Sequence, residues 1–81
     1  RLPKDVIKGY IKAYNHLRAA KRIEDLFRIG SLHYERLKGD LKDFESVRCT
    51  GRWRLIFKSS TIDSSLIITD ILIEISNHYG D

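Results

Sequence analysis

The residues best equipped for chemistry in this 81-residue chain cluster in one stretch, Ser46-Val47-Arg48-Cys49-Thr50-Gly51-Arg52-Trp53-Arg54-Leu55-Ile56-Phe57. Read as a hairpin, its second arm alternates Trp53, Leu55 and Phe57 with Arg52, Arg54, Ile56 and Lys58. A side-chain period of two sends the first set toward an apolar core and leaves the other face largely basic. Val47 and Cys49 join the core set. A two-residue turn at Thr50-Gly51 would pair Cys49 with Arg52 and bring opposite faces into register, which strand geometry forbids. A three-residue loop of Thr50, Gly51 and Arg52 instead opposes Cys49 to Trp53, Val47 to Leu55 and Arg48 to Arg54. Two guanidinium groups directly across a ladder stand about 4.5–5.5 Å apart at Cβ and repel. Such a pair requires neutralising carboxylates or an anion such as phosphate.

The C-terminal run serves either need. Asp70, Leu72, Glu74, Ser76 and His78 share one parity, while Ile71, Ile73 and Ile75 share the other and point to the core. Glu74 and Asp70 would make the arginines part of a salt-bridged sheet face. His78, on the arginines' side of an extended strand, would add a group able to move protons to an anion site. Both readings stand at this level. Cys49, with core parity, reads as buried and inert. His16 and His33 have no partner pattern and read as surface residues. The chain has no Gly-rich phosphate loop, metal-ligand spacing or Ser/His/Asp arrangement, so neither a metal nor a cofactor is expected.

These residues need elements to hold them. Apolar residues recur with helical spacing at Val6, Ile7, Tyr10, Ile11, Tyr14 and Leu17, with Pro3 suited to the first turn and Asp5 to the positive end of the helix dipole. Lys4, Lys8 and Lys12 form a stripe on the opposite side, and Gly9 falls on that polar side. A shorter helix spans about 22–28, stopped by Gly30. Strand-like runs follow at 34–37, 46–49, 53–58 and 66–76. A charged turn at 38–43 and a polar loop at 59–65 connect them. The predicted architecture is one α+β domain over 1–81: a two-helix hairpin (about 3–29) packed on a small antiparallel sheet (about 33–77). Its predicted core is Val6, Ile7, Tyr10, Ile11, Tyr14, Leu17, Leu26, Phe27, Val47, Trp53, Leu55, Phe57, Ile71, Ile73 and Ile75.

Composition sets the outer bounds. A chain this short has room for one small core. Its 42% hydrophobic and 32% charged residues are those of a folding domain. A single cysteine closes no internal disulfide, and no apolar run approaches the roughly 18 residues of a membrane span, so the expected location is the cytoplasm. Net charge is +4 and unevenly spread: residues 1–22 hold seven basic groups and one acidic, residues 59–81 four acidic and none basic. A basic surface favours polyanions or an acidic protein partner.

Taken in order, Glu35-Arg36-Leu37-Lys38-Gly39-Asp40-Leu41-Lys42, Ser46-Val47-Arg48, Trp53-Arg54-Leu55-Ile56-Phe57 and Ile73-Glu74-Ile75-Ser76-Asn77-His78-Tyr79 resemble the RelE/ParE toxin superfamily, in its HigB or plasmid-maintenance-killer branch. The resemblance implies a RelE-like fold and a type II toxin that cuts mRNA, commonly on the ribosome, and is silenced by a cognate antitoxin. Family folds open with a strand before the first helix. None is visible here, so an N-terminal strand is expected to be missing. The ribose 2′-hydroxyl acts as nucleophile in such enzymes, and no metal is needed. Carried over, Arg48 and Arg54 stabilise phosphoryl charge, with Lys38 assisting. His78 or Tyr79 transfers the proton; family chains end on Asp-Tyr-His where this one has Asn77-His78-Tyr79. Arg36, Lys42 and Arg52 join Lys38 as RNA-binding residues. The rival functions are a ParE-like gyrase-poisoning toxin, which needs no catalytic residues, and a non-catalytic RNA-binding relative. The basic strand cluster favours the nuclease.

Overall fold

The computed structural model describes residues 2–75, without the side chains of Asp70 and residues 72–75. A long helix α1 (Lys4–Ala19) and a one-turn helix α2 (Ile23–Phe27) lead through a 3₁₀ turn (Gly30–Leu32) into β1 (Glu35–Arg36). A second 3₁₀ turn (Gly39–Leu41) precedes β2 (Glu45–Thr50), β3 (Trp53–Ile62) and β4 (Ser65–Ile75). The strands form an antiparallel meander in the order β1-β2-β3-β4. α1 lies mainly over β2 and β3. This is the expected α+β layering of helix on antiparallel sheet.

The core gathers between α1 and the sheet, where Ala13, Leu17, Leu26, Leu32, Val47, Leu55 and Phe57 are buried together. Tyr10, Tyr14 and Ile71 pack around them half-buried. The side chains of Ile73 and Ile75 lie outside the described ones, and Ile7, Ile11, Phe27 and Trp53 lie elsewhere. Ile7 is 43% exposed and Ile11 52%, because α1 turns a different face to the sheet. The buried stripe is Val6, Ala13 and Leu17, and the two isoleucines fall about 100° or more round the helix from it.

Gly9 is part of that seating rather than of the polar side. A Cβ there would stand 2.6 Å from the Cys49 carbonyl oxygen and 2.8 Å from its carbon. Phe27 is 57% exposed, since the single helical turn presents Leu26 and, half-buried, Ile23 inward, although its ring meets Tyr34 at 5.0 Å. Trp53 is half-buried rather than in the core, because it opens β3 beside the turn, at the end of the sheet.

The central hairpin has the expected pairing, reached by another route. Val47 opposes Leu55 and Arg48 opposes Arg54, but Thr50 opposes Trp53 across a two-residue turn, Gly51-Arg52. Cys49 is the extra residue of a bulge. A bulge corrects parity by one residue just as a three-residue loop would, and Gly51 supplies the positive φ (55°) that the tight turn requires.

The segment 59–65 is likewise not a loop. β3 and β4 continue pairing to Ile62 and Ser65, around a turn at Asp63 and Ser64 with φ of 51° and 65°. Beyond the reach of β2 these two strands continue as a two-stranded ribbon that rests on the core through Leu66 and Ile68. The Leu66 amide ties it to the body by donating to the Lys21 carbonyl at 2.9 Å.

Candidate phosphate-binding face

Parity divides the sheet into two faces with different chemistry. Glu45, Val47, Leu55 and Phe57 look toward the helix; Ser46, Arg48, Arg54 and Ile56 look away. On the outer face Arg48, Arg54 and Glu74 make one row across β2, β3 and β4. By residue type the row holds two cations and one carboxylate. The side chain of Glu74 lies outside the described ones, as does that of Asp70, which opposes Lys58.

The two arginines differ in setting. Arg48 is exposed. Arg54 is buried to 7% exposure, which is costly for a charge unless its donors are engaged. Its Nε donates to the Ser46 hydroxyl at 2.8 Å, and an Nη2 hydrogen goes to the His33 carbonyl. His33 caps the first 3₁₀ turn in the left-handed region (φ 46°), a conformation few non-glycine residues adopt. Two fixed acceptors on different elements therefore hold the plane of the guanidinium.

Sequence reasoning missed both acceptors. Ser46 shares parity with the arginines, and its size, in a row otherwise filled by larger side chains, was the available signal. His33 acts through its backbone, which residue type does not announce.

The other basic residues spread along the sheet. Arg52 sits in the β2–β3 turn, two residues before Arg54. Lys38 and Lys42 flank the 3₁₀ turn before β2, exposed at the opposite end. Arg48 lies four residues from Phe44 at that end, about 14 Å along a strand, so these lysines reach a flanking part of any ligand rather than the same anion. Lys58 stands 4.7 Å over the Phe44 ring. Arg36 opposes Glu45, on the helix side of the sheet, and so is not gathered with Arg48 and Arg54. His78 and Tyr79 lie outside the described residues.

A second polar cluster occupies the helix side. Glu45, buried, accepts from the Tyr34 hydroxyl (2.7 Å) and the Ser59 hydroxyl (2.7 Å). Burial, then the hydrogen bond to Glu45 and that carboxylate's charge, pushes Tyr34 ionisation above the usual tyrosine range. Cys49 is half-buried, and burial raises its thiol to about 11, which keeps it protonated and unreactive at neutral pH. Among the described residues no group of His, Cys, Asp and Glu could hold a metal, and no helix is long and apolar enough to cross a membrane.

A helix on a four-stranded antiparallel sheet, with a fixed arginine on the face away from that helix, defines a small α+β domain of the RelE-like arrangement. A family model described as the RelE-like toxin of the type II toxin-antitoxin system HigB matches residues 1–74, and the chain belongs to that HigB-like toxin family. Comparison with curated proteins and with solved structures gave no match. Membership makes the protein a toxin with a cognate antitoxin as partner.

Proposed function

We propose that this toxin is an mRNA endoribonuclease, working without a metal on ribosome-bound message. The observation that carries the proposal is the Arg48–Arg54 pair. Two guanidinium groups opposed on one ladder repel, and burying one of them adds a desolvation cost. An anionic ligand converts that cost into binding. Arg54, oriented by Ser46 and His33, is the preorganised charge, and exposed Arg48 closes on the same phosphate.

In the reaction the ribose 2′-oxygen attacks the adjacent phosphorus as its proton passes to a base. The P–O5′ bond breaks, and the departing O5′ takes up a proton. The products are a 2′,3′-cyclic phosphate and a 5′-hydroxyl. Arg48 and Arg54 stabilise the charge that grows on the non-bridging oxygens. His78 or Tyr79 exchanges the protons, while Lys38, Lys42 and Arg52 hold flanking backbone.

Single-turnover cleavage of mRNA on programmed ribosomes tests this. Arg48→Ala and Arg54→Ala should each lose about 10²–10³ in rate. Comparing His78→Ala with Tyr79→Phe identifies the proton carrier. Ser46→Ala should slow cleavage while Arg54 remains present, because the guanidinium loses its guide. Wild-type cleavage by Arg54→Ala would overturn the proposal.

A further inference from the structure

We propose that the shelf between α1 and β4, on the helix side of the sheet, is the docking site for an amphipathic, acid-rimmed helix of the antitoxin. The proposal rests on family membership and not on the nuclease reading. A helix is about 10–12 Å wide and strands lie about 4.8 Å apart, so one helix roofs about two strands. α1 is spent on β2 and β3 and meets β4 little. Leu66, Ile68 and Ile71 therefore pack on the core from one side and remain only half-buried. With Tyr14, Leu17 and Arg18 they line a groove of about 310 Å³.

α1 extends the groove with its own apolar stripe. Ile7, Ile11, Tyr14 and Arg18 fall at i, i+4, i+7 and i+11, one continuous line down the helix. Ile7 and Ile11 are the largest exposed apolar residues on α1. No other described element covers them, and aligned apolar side chains beside a half-roofed strand mark a contact surface more than chance exposure does.

The rim specifies the partner. Lys4 and Lys8 lie next round the helix beyond Ile7 and Ile11, both exposed, and Arg18 ends the stripe. An apolar floor with a cationic border suits a helix bearing apolar residues at i, i+3, i+4 and i+7 between acidic flanks.

Calorimetric titration with the purified cognate antitoxin tests the site without reference to cleavage. Ile7→Glu/Ile11→Glu should raise Kd by about a hundredfold or more, since it sets two carboxylates against an apolar surface. Exposed positions leave the fold intact, so the melting temperature and any mRNA cleavage should match wild type. Lys4→Glu/Lys8→Glu should slow association at low salt by about tenfold. Hydrogen exchange on the complex should show protection gathered on 7–18 and 66–71. Four results would overturn the proposal: a Kd within threefold for the isoleucine pair, an unchanged association rate for the lysine pair, protection confined to 45–58, or protection of β4 backbone alone, as strand addition to the sheet edge gives. A dimer lost in the isoleucine variant at unaltered antitoxin affinity would assign the shelf to a second copy of the chain, and would overturn it equally.

Discussion

Gly9→Ala is a change whose sign separates two accounts of α1. Helix propensity alone favours alanine over a mid-helix glycine by about 1 kcal/mol, which for a domain of this size would raise Tm by roughly 4–8 °C. The packing says otherwise. The new methyl would sit 2.6 Å from a backbone oxygen and 2.8 Å from a backbone carbon of Cys49, atoms that cannot rotate aside as a side-chain end can. Relief requires α1 to lift from β2, and overpacking of this kind costs about 1–3 kcal/mol. With the contact in the upper part of that range, the net is a loss of about 1–2 kcal/mol, or a fall in Tm of roughly 4–16 °C. Thermal unfolding followed by circular dichroism reads the difference directly. Gly30→Ala is the control, since nothing lies within 4 Å of its Cβ position and its φ is not positive. That variant should be neutral or gain up to about 1 kcal/mol. A Gly9→Ala protein that melts above wild type would refute the close seating of the helix.

Two further outcomes follow from positions described above. Replacing Asp63-Ser64 by Asn-Gly should stabilise the chain by about 0.5–1.5 kcal/mol in denaturant titration, because both residues now sit at positive φ; no gain would mean the turn is unstrained. Tyr34→Phe removes one of the two hydroxyls on buried Glu45 and should cost about 1–3 kcal/mol at neutral pH. The folded-state ionisation of Tyr34 is raised, so its contribution is complete below the unfolded value near pH 10 and drains away as pH rises above that. Stability of wild type should therefore fall more steeply than that of Tyr34→Phe above about pH 10; parallel curves would contradict the raised ionisation.

The sheet register was legible because alternation is the strongest signal a short strand carries. Leu55 and Phe57 against Arg54 and Lys58 left one way to pair with Val47 and Arg48, and the structure has it. The same argument could not choose between an odd loop and a bulge, since both shift parity by one. At 59–65 alternation failed: the ribbon has no fully buried face there, so a polar composition mimicked a loop. On α1 the reading followed the large apolar residues, which placed Val6 and Leu17 in the core but missed the contact made where side chains are smallest, at Gly9 and Ala13. The arginine pair was visible at the level of residues. Its orientation was not, because one of its two guides is a backbone carbonyl.

The β3–β4 ribbon has a mechanical consequence. Past Ser59 it is two strands without a third, resting on the core through Leu66 and Ile68, and such a pair holds poorly in water unaided. Its fastening is the hydrogen bond from Leu66 to Lys21, in the Thr61–Leu66 pair next to the tip. Bending the tip around Asp63 and Ser64 therefore loads that bond before it disturbs the ladder at Arg54, seven positions toward the root. The arm can fray and re-form as a local event, at a free energy far below global unfolding, while the basic row keeps its alignment. The chain thus separates a compliant end from a rigid one within a single pair of strands.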